Sequence, residues 1–210
     1  MFITFEGIEG CGKTTQIERL SKTLIRYRIP HVVTLEPGGT EVGRHIRRIL
    51  LDAGNKGLAP LAELMLYEAD RAQHIEEIVR PALELGKWVL CDRFFDATVA
   101  YQGGARGQDG QLIDSLNDKV TGGIKPDRTF LLDCPVETGL ARAIARNRTA
   151  LDKGQDRFER EKTAFHRAVR KAYLELARRD RERFIVIDAG SSIDEMEEEI
   201  LRHVELMLPR

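Results

Sequence analysis

The sequence predicts an α/β fold of three layers, α/β/α, with a five-stranded parallel sheet in the middle and a lid segment. Three observations predict it. Five short runs, FITFEG, HVVTL, WVLCD, RTFLLD and RFIVID, are nearly continuously apolar, as strands buried on both faces of a parallel sheet should be. Helical periodicity separates the runs, the alternation from which α/β folds are built. The first run leads straight into FEGIEGCGKTT (residues 5 to 15). There Gly7, Gly12, Lys13 and Thr14 fit G-x-x-x-x-G-K-[ST], whose backbone N–H groups cradle nucleotide phosphates.

The elements follow in order. The loop from Gly7 through Ile8, Glu9, Gly10, Cys11, Gly12, Lys13 and Thr14 to Thr15 enters a helix, because Ile17, Leu20, Leu24 and Ile25 recur at helical spacing. Lys13 should carry its charge to the β- and γ-phosphates, and Thr14 should offer a hydroxyl to Mg2+. HVVTL is the second strand, followed by TEVGRHIRRILLDAG and LAPLAELMLYEADRAQHIEEIVRPALELG, a long helical insertion ending at Gly86. WVLCD and RTFLLD are the third and fourth strands. RNRTALDKGQDRFERE (146 to 161) is basic, Gly-containing and non-periodic in its middle, which suits a lid. RRDRER (178 to 183) reads as a solvated helix end before the fifth strand. No repeat or linker divides the chain, so residues 1 to 210 are expected to form one domain, with an acceptor region at about 37 to 86 and 93 to 123 and a lid at about 143 to 160.

Ligands of open α/β sheets bind beyond the carboxyl ends of the strands. Those ends are Glu6, Glu36, Asp92 and Asp133. Asp92 is the candidate carboxylate near Mg2+, whereas Asp133 reads as structural. The phosphate loop alone does not separate a kinase from a GTPase, a motor or a regulator. A guanine-reading N/T-K-x-D is missing, and arginines gather at element ends: Arg44, Arg47, Arg48, Arg71, Arg93, Arg106, Arg142, Arg146, Arg148 and Arg157. Such a set suits a reaction between two anions.

Composition narrows the partners. With 42% hydrophobic and 32% charged residues and a net charge of -1, the chain can bury a core, and the balance argues against a nucleic-acid-binding face spread over the whole surface, leaving room only for local basic clusters. No apolar run is long enough to span a bilayer, and no signal peptide is expected ahead of the first strand. Cys11, Cys91 and Cys134 lack C-x-x-C spacing and read as reduced, buried thiols, so the cytoplasm is the expected compartment. The five histidines have no metal-ligand spacing.

FEGIEGCGKTTQ, EPGGTEVGRHIR, LYEADRAQHIEEIVRPAL, CDRFFDATVAYQGGARG and LLDCPVETGLARA together resemble the thymidylate kinases of bacterial type, in the right order from residue 2 to about 188. The resemblance implies a nucleoside-monophosphate-kinase sheet, transfer from ATP to dTMP with Mg2+, and a homodimer. It places Arg93 and Arg47 on the dTMP phosphate, with Glu36 also in the dTMP site. Arg71, Thr98 and Gln102 fall around the thymine edge, Tyr101 crowds the ribose 2′ position, and Glu9 lies near the sugar. Arg142 falls against adenine. Tyr67 stands where the family usually has a stacking Phe, Ala97 where Ser is common, and Arg44 where Glu is usual. The lid is longer than the family's usual stretch.

The incoming phosphate oxygen is largely ionised at neutral pH, its second pKa being about 6, so no general base is needed. Catalysis then rests on positioning and on charge stabilisation by Lys13, Mg2+ and arginines. The variable loop positions hold no arginine, which points to Arg146 or Arg148 in the lid. The alternatives are another nucleotide or nucleoside kinase, and a nucleotide-switched binding protein.

Overall fold

The computed structural model describes residues 1–55, 57–149 and 156–208, with the side chains of 147–149 outside that description. β1 (Phe2–Glu6), β2 (His31–Leu35), β3 (Trp88–Asp92), β4 (Arg128–Asp133) and β5 (Phe184–Asp188) form one sheet in the order β2-β3-β1-β4-β5. Every pairing is parallel. β1 is central, and all five of its residues are buried. Its side chains alternate between two cores. Ile3 and Phe5 join Leu20, Leu24, Phe130 and Ile187, while Phe2 joins Ile75, Val79, Val89 and Phe94.

The expectation that all five strands are buried on both faces holds for the inner strands and fails at the edges. Val33 and Leu35 of β2 are 51% and 38% exposed, and Val186 of β5 is 45% exposed. An edge strand has a neighbour on one side only, so apolar composition alone does not reveal its place.

α1 (Lys13–Arg26) rises from the phosphate loop. The insertion after β2 resolves into α2 (Glu41–Leu51), capped by the Thr40 side chain, and α3 (Pro60–His74), which has Pro60 in its first turn. It then widens into a π-type turn over Ile75–Val79 before α4 (Arg80–Glu84). Pro81 explains the widening: it has no N–H to give, and its ring crowds the preceding turn.

After β3 come α5 (Phe95–Thr98) and a second π-type stretch, Val99–Ala105, which carries Tyr101 and Gln102. α8 (Thr163–Arg179) packs closely on that stretch, since a Cβ on Gly104 would lie 2.5 Å from Ala172 Cβ. α6 (Gly110–Thr121), α7 (Val136–Thr149) and α9 (Ile193–Glu205) complete the helices among the described residues. None of the described helices is long and apolar enough to cross a membrane.

RRDRER is more than a solvated helix end. Arg183 makes a two-pronged ion pair with buried Asp96 at 2.6 and 2.9 Å and also holds Asp180 at 2.8 Å. Asp133 is structural, as expected, gripping Arg170 through both oxygens.

Candidate active site

The carboxyl ends of β1, β2 and β3 open into a cavity of about 880 Å3. Glu9, Gly10, Cys11, Gly12, Lys13, Thr14 and Thr15 line its floor, and Arg142 and Arg146 stand at one side. Glu36, Arg47, Tyr67, Arg71, Asp92, Arg93, Thr98, Tyr101 and Gln102 line the other. Gly7 and Ile8 lie behind the loop and supply carbonyls to it, while the side chain of Arg148 falls outside the described residues.

The loop is held by close backbone approach. Gly7 has φ 134°, and a Cβ there would lie 2.5 Å from Leu132 O; at Gly10, with φ 72°, it would lie 2.0 Å from Gly139 O of α7. Only glycine meets both demands. Lys13 is buried, and its Nζ donates to Gly7 O at 3.2 Å and Ile8 O at 3.1 Å. Its charge is thereby fixed at the centre of the loop. Thr14 Oγ1 donates to Asp92 Oδ2 at 3.1 Å, bringing a hydroxyl and a carboxylate oxygen together at the cavity wall.

Arg93 follows β3 with φ 70°, a left-handed conformation rare outside glycine. Its Nη1 donates to Tyr173 OH at 3.1 Å, and its Nη2 donates to Glu9 Oε1 and Tyr101 OH, each at 3.0 Å. Tyr101 OH also donates to Glu9 Oε1. Burial opposes the Glu9 charge, but His166 at 3.2 Å, Arg93 and the Tyr101 hydroxyl outweigh it and hold the carboxyl down at about 2. Behind this network, burial and nearby Asp96 push Glu6 up to about 8. Glu6 accepts from Tyr173 OH at 2.6 Å and from Phe94 N at 2.7 Å. Arg47 is fixed by donation to Pro37 O at 2.7 Å.

Glu63, Tyr67, Arg71 and His74 recur on α3 at helical spacing and face this end of the cavity or the groups behind it. Arg71 is the most committed of them. Its Nε donates to Glu36 Oε2, its Nη1 to Glu68 Oε1 and Asn117 Oδ1, and its Nη2 to Thr98 Oγ1. Four such bonds leave one of the five guanidinium N–H groups for the cavity. Glu36 Oε1 pairs with His74 Nδ1 at 2.7 Å. The sequence expectation of Arg71 as a base-edge reader therefore meets a side chain that is 1% exposed and chiefly organises its neighbours.

A family model described as thymidylate kinase matches residues 5–200. The thymidylate kinase of Geotalea daltonii (strain DSM 22248 / JCM 15807 / FRC-32) is 54% identical over 195 residues, covering 92% of this chain and 91% of that protein. The chain belongs to the thymidylate kinase family. The thymidylate kinase of Desulfosudis oleivorans (strain DSM 6200 / JCM 39069 / Hxd3) is 56% identical over 192 residues, covering 90% of this chain and 89% of that protein. A solved thymidylate kinase structure from Ehrlichia chaffeensis superposes with a TM-score of 0.76 at 34% identity, covering 97% of this chain and 98% of that one.

In this thymidylate kinase chain the expected lid straddles residues 150–155, which lie outside the described ones. Its flanks are placed. Arg146 of α7 lines the cavity and stands 3.6 Å from Glu159 Oε1. On the far flank Arg157 donates to Leu50 O at 2.9 Å and pairs with Glu63 Oε2. Phe158 is buried edge-on against Tyr101, with ring centres 5.5 Å apart. Glu63, Phe158, His166 and Tyr173 join the site without being candidates from the sequence motifs. Helical spacing from Tyr67 and Arg71 could have found Glu63, whereas the other three come from segments far from the motifs they touch.

Proposed function

We infer that this protein is a dTMP kinase, phosphorylating dTMP to dTDP with ATP for dTTP synthesis. The observation that carries the mechanism is one cavity joining a phosphate loop to a second, arginine-lined pocket. ATP lies on the loop from Gly7 to Thr15 with its base toward Arg142. The acceptor phosphate lies between Arg47 and Arg93, where the Glu9, Tyr101 and Tyr173 contacts preset the Arg93 guanidinium. Tyr67, Arg71, Thr98 and Gln102 enclose the base, Glu36 braces Arg71, and Tyr101 closes the sugar's 2′ side. Two anions thus meet with their repulsion already offset, the main requirement of phosphoryl transfer. Lys13 and a lid arginine, Arg146 or Arg148, stabilise charge on the transferring group.

Thr14 Oγ1 and Asp92 Oδ2 fit Mg2+ by donor chemistry, because they are hard oxygens at the phosphate end. Among the described residues no group of three His, Cys, Asp or Glu forms a cage, which suits an ion that keeps waters and phosphate oxygens. Bound there with the nucleotide, it would neutralise phosphate charge.

The chain works as one domain, with an acceptor region at about 37 to 86 and 93 to 123 and a lid at about 143 to 160, in the cytoplasm. Its partners are small nucleotides. It pairs as a homodimer, a reading supported by Val42, Ile49, Leu61 and Met65, which are exposed on α2 and α3. The test is ADP release from ATP and Mg2+ with each common nucleoside monophosphate in turn. Rapid release with dTMP supports the reading, and acceptor-independent release would overturn it.

A further inference from the structure

Glu63 is 1% exposed and joins three separate segments. Its Oε1 accepts from Gln102 Nε2 at 2.8 Å and lies 3.4 Å from Arg106 Nε, and its Oε2 pairs with Arg157 on the far flank of the lid region. Arg106 and Arg157 reach onward to Glu161 Oε1 at 2.7 Å and Leu50 O at 2.9 Å. A carboxylate between two guanidinium groups offers acceptors and no donor. The two ends of the Gln102 amide differ in just this respect, and such an amide is oriented by its hydrogen-bond partners. Its NH2 must face Glu63, and its oxygen must face away. Gln102 lines the cavity, and its Oε1 has no hydrogen bond to any described residue.

We propose that Glu63 is the positioning residue that sets base selectivity: by taking the Gln102 amino group, it presents the Gln102 carbonyl oxygen to the acceptor base. A carbonyl oxygen there favours a pyrimidine whose ring nitrogen carries a hydrogen, as thymine and uracil do. Cytosine has a lone pair at that nitrogen and meets the oxygen acceptor to acceptor. Discrimination by an unpaired polar group is stronger than discrimination by shape. The selection rests on the dTMP kinase reading and deepens it. Because Arg157 shares the same carboxylate, the far flank of the lid region also steadies the group that reads the base.

The test compares kcat/KM for dTMP and dCMP on the parent, Glu63→Gln and Glu63→Asp, with thermal melting of each. Glu63→Gln introduces an amino group that can donate to Gln102 Oε1, so the amide can turn over. Glu63→Asp keeps the charge between the arginines but withdraws it from Gln102. The dTMP-over-dCMP ratio should fall roughly tenfold or more in each, the scale of one hydrogen bond, with KM for ATP unchanged. A purely structural role would lower both acceptors together and leave the ratio intact. A preserved ratio in either folded variant overturns the proposal, as does loss of folding in both. A parent that ignores dTMP would overturn the function reading itself, and this inference with it.

Discussion

The proposed ATP end of the cavity takes its loop from one unbroken stretch, Gly7 to Thr15, while the proposed acceptor end gathers Glu36, Glu63, Arg71, Thr98, Gln102 and Asn117 from five separate elements and loops. The loop gets its shape from glycine backbone and presents donors to solvent. The acceptor end gets its shape from side chains that bond one another, and Arg71 alone bridges four of them. This difference teaches that binding and folding are separable at the first end and joined at the second. A substitution in the loop should remove chemistry and spare the fold. One among the acceptor side chains should damage both.

Lys13→Ala gives the largest effect expected. Among the described residues its amino group bonds only the carbonyls and thiol of its own loop, so the fold should survive while turnover falls by at least about 10³-fold. Near-normal turnover by a folded variant would end the comparison. Next come Arg146→Ala and Arg148→Ala. One of them should lower kcat by roughly 10³-fold with little change in acceptor KM, the pattern of a group used only in the transition state. If both keep their kcat, the lid supplies no catalytic arginine.

Arg71→Ala should act the other way. It strips the guanidinium from Glu36 and Glu68, both buried, leaving His74 as the remaining partner of Glu36 and no ion pair on Glu68 among the described residues, and breaking a buried pair in this way costs about 3–5 kcal/mol. Urea unfolding should show that loss, alongside a fall in kcat/KM for dTMP. A variant of unchanged stability would mean that the buried network does not carry the acceptor end.

Legibility in the sequence follows the same division. Every strand was readable, because inner strands advertise burial by unbroken apolar runs; only the exposed faces of β2 and β5 escaped. The phosphate loop was readable because its residues are neighbours in sequence. Arg93, Tyr101 and Gln102 were nameable through the family resemblance, yet Tyr173 and His166, which stand against Arg93 and Glu9, were not. They arrive on α8, some 70 residues or more beyond Arg93, and periodicity marks them as ordinary helix residues. Pro81 was visible, but its consequence, the π-type turn over Ile75–Val79, needed the packing around it.

Glu9 sits where the two ends meet and sharpens the comparison through pH. Its carboxyl is depressed to about 2 from 4.5 in the folded protein. A depressed acid contributes stability that is present above the unfolded value and is lost as pH falls from about 4.5 toward 2. The raised Glu6, at about 8, has the opposite slope, losing its contribution as pH rises from 4.5 through 8. Comparing the parent with Glu9→Gln isolates the first group. The parent should lose up to about 2 kcal/mol more than the variant between pH 5 and pH 2.5. Parallel curves would mean that Glu9 gains nothing from Arg93 and Tyr101.

The smallest effect concerns Tyr67, which lines the cavity and whose hydroxyl makes no hydrogen bond to a described residue. Burial raises its phenol above the usual range, so it stays neutral at working pH and offers a flat ring. Tyr67→Phe keeps that ring, so kcat/KM for dTMP should change less than about threefold, below the roughly 1 kcal/mol of a typical hydrogen bond. Selectivity should be preserved too. One methyl in an apolar pocket is worth about 1 to 3 kcal/mol, so dUMP should run about 10- to 200-fold below dTMP in parent and variant alike, and purine monophosphates should be inert. A marked loss in Tyr67→Phe would show that its hydroxyl works on the substrate, placing Tyr67 with Arg71 among the side chains whose polar atoms shape this end. Comparable turnover of dGMP by the parent would overturn the pyrimidine reading of the acceptor end.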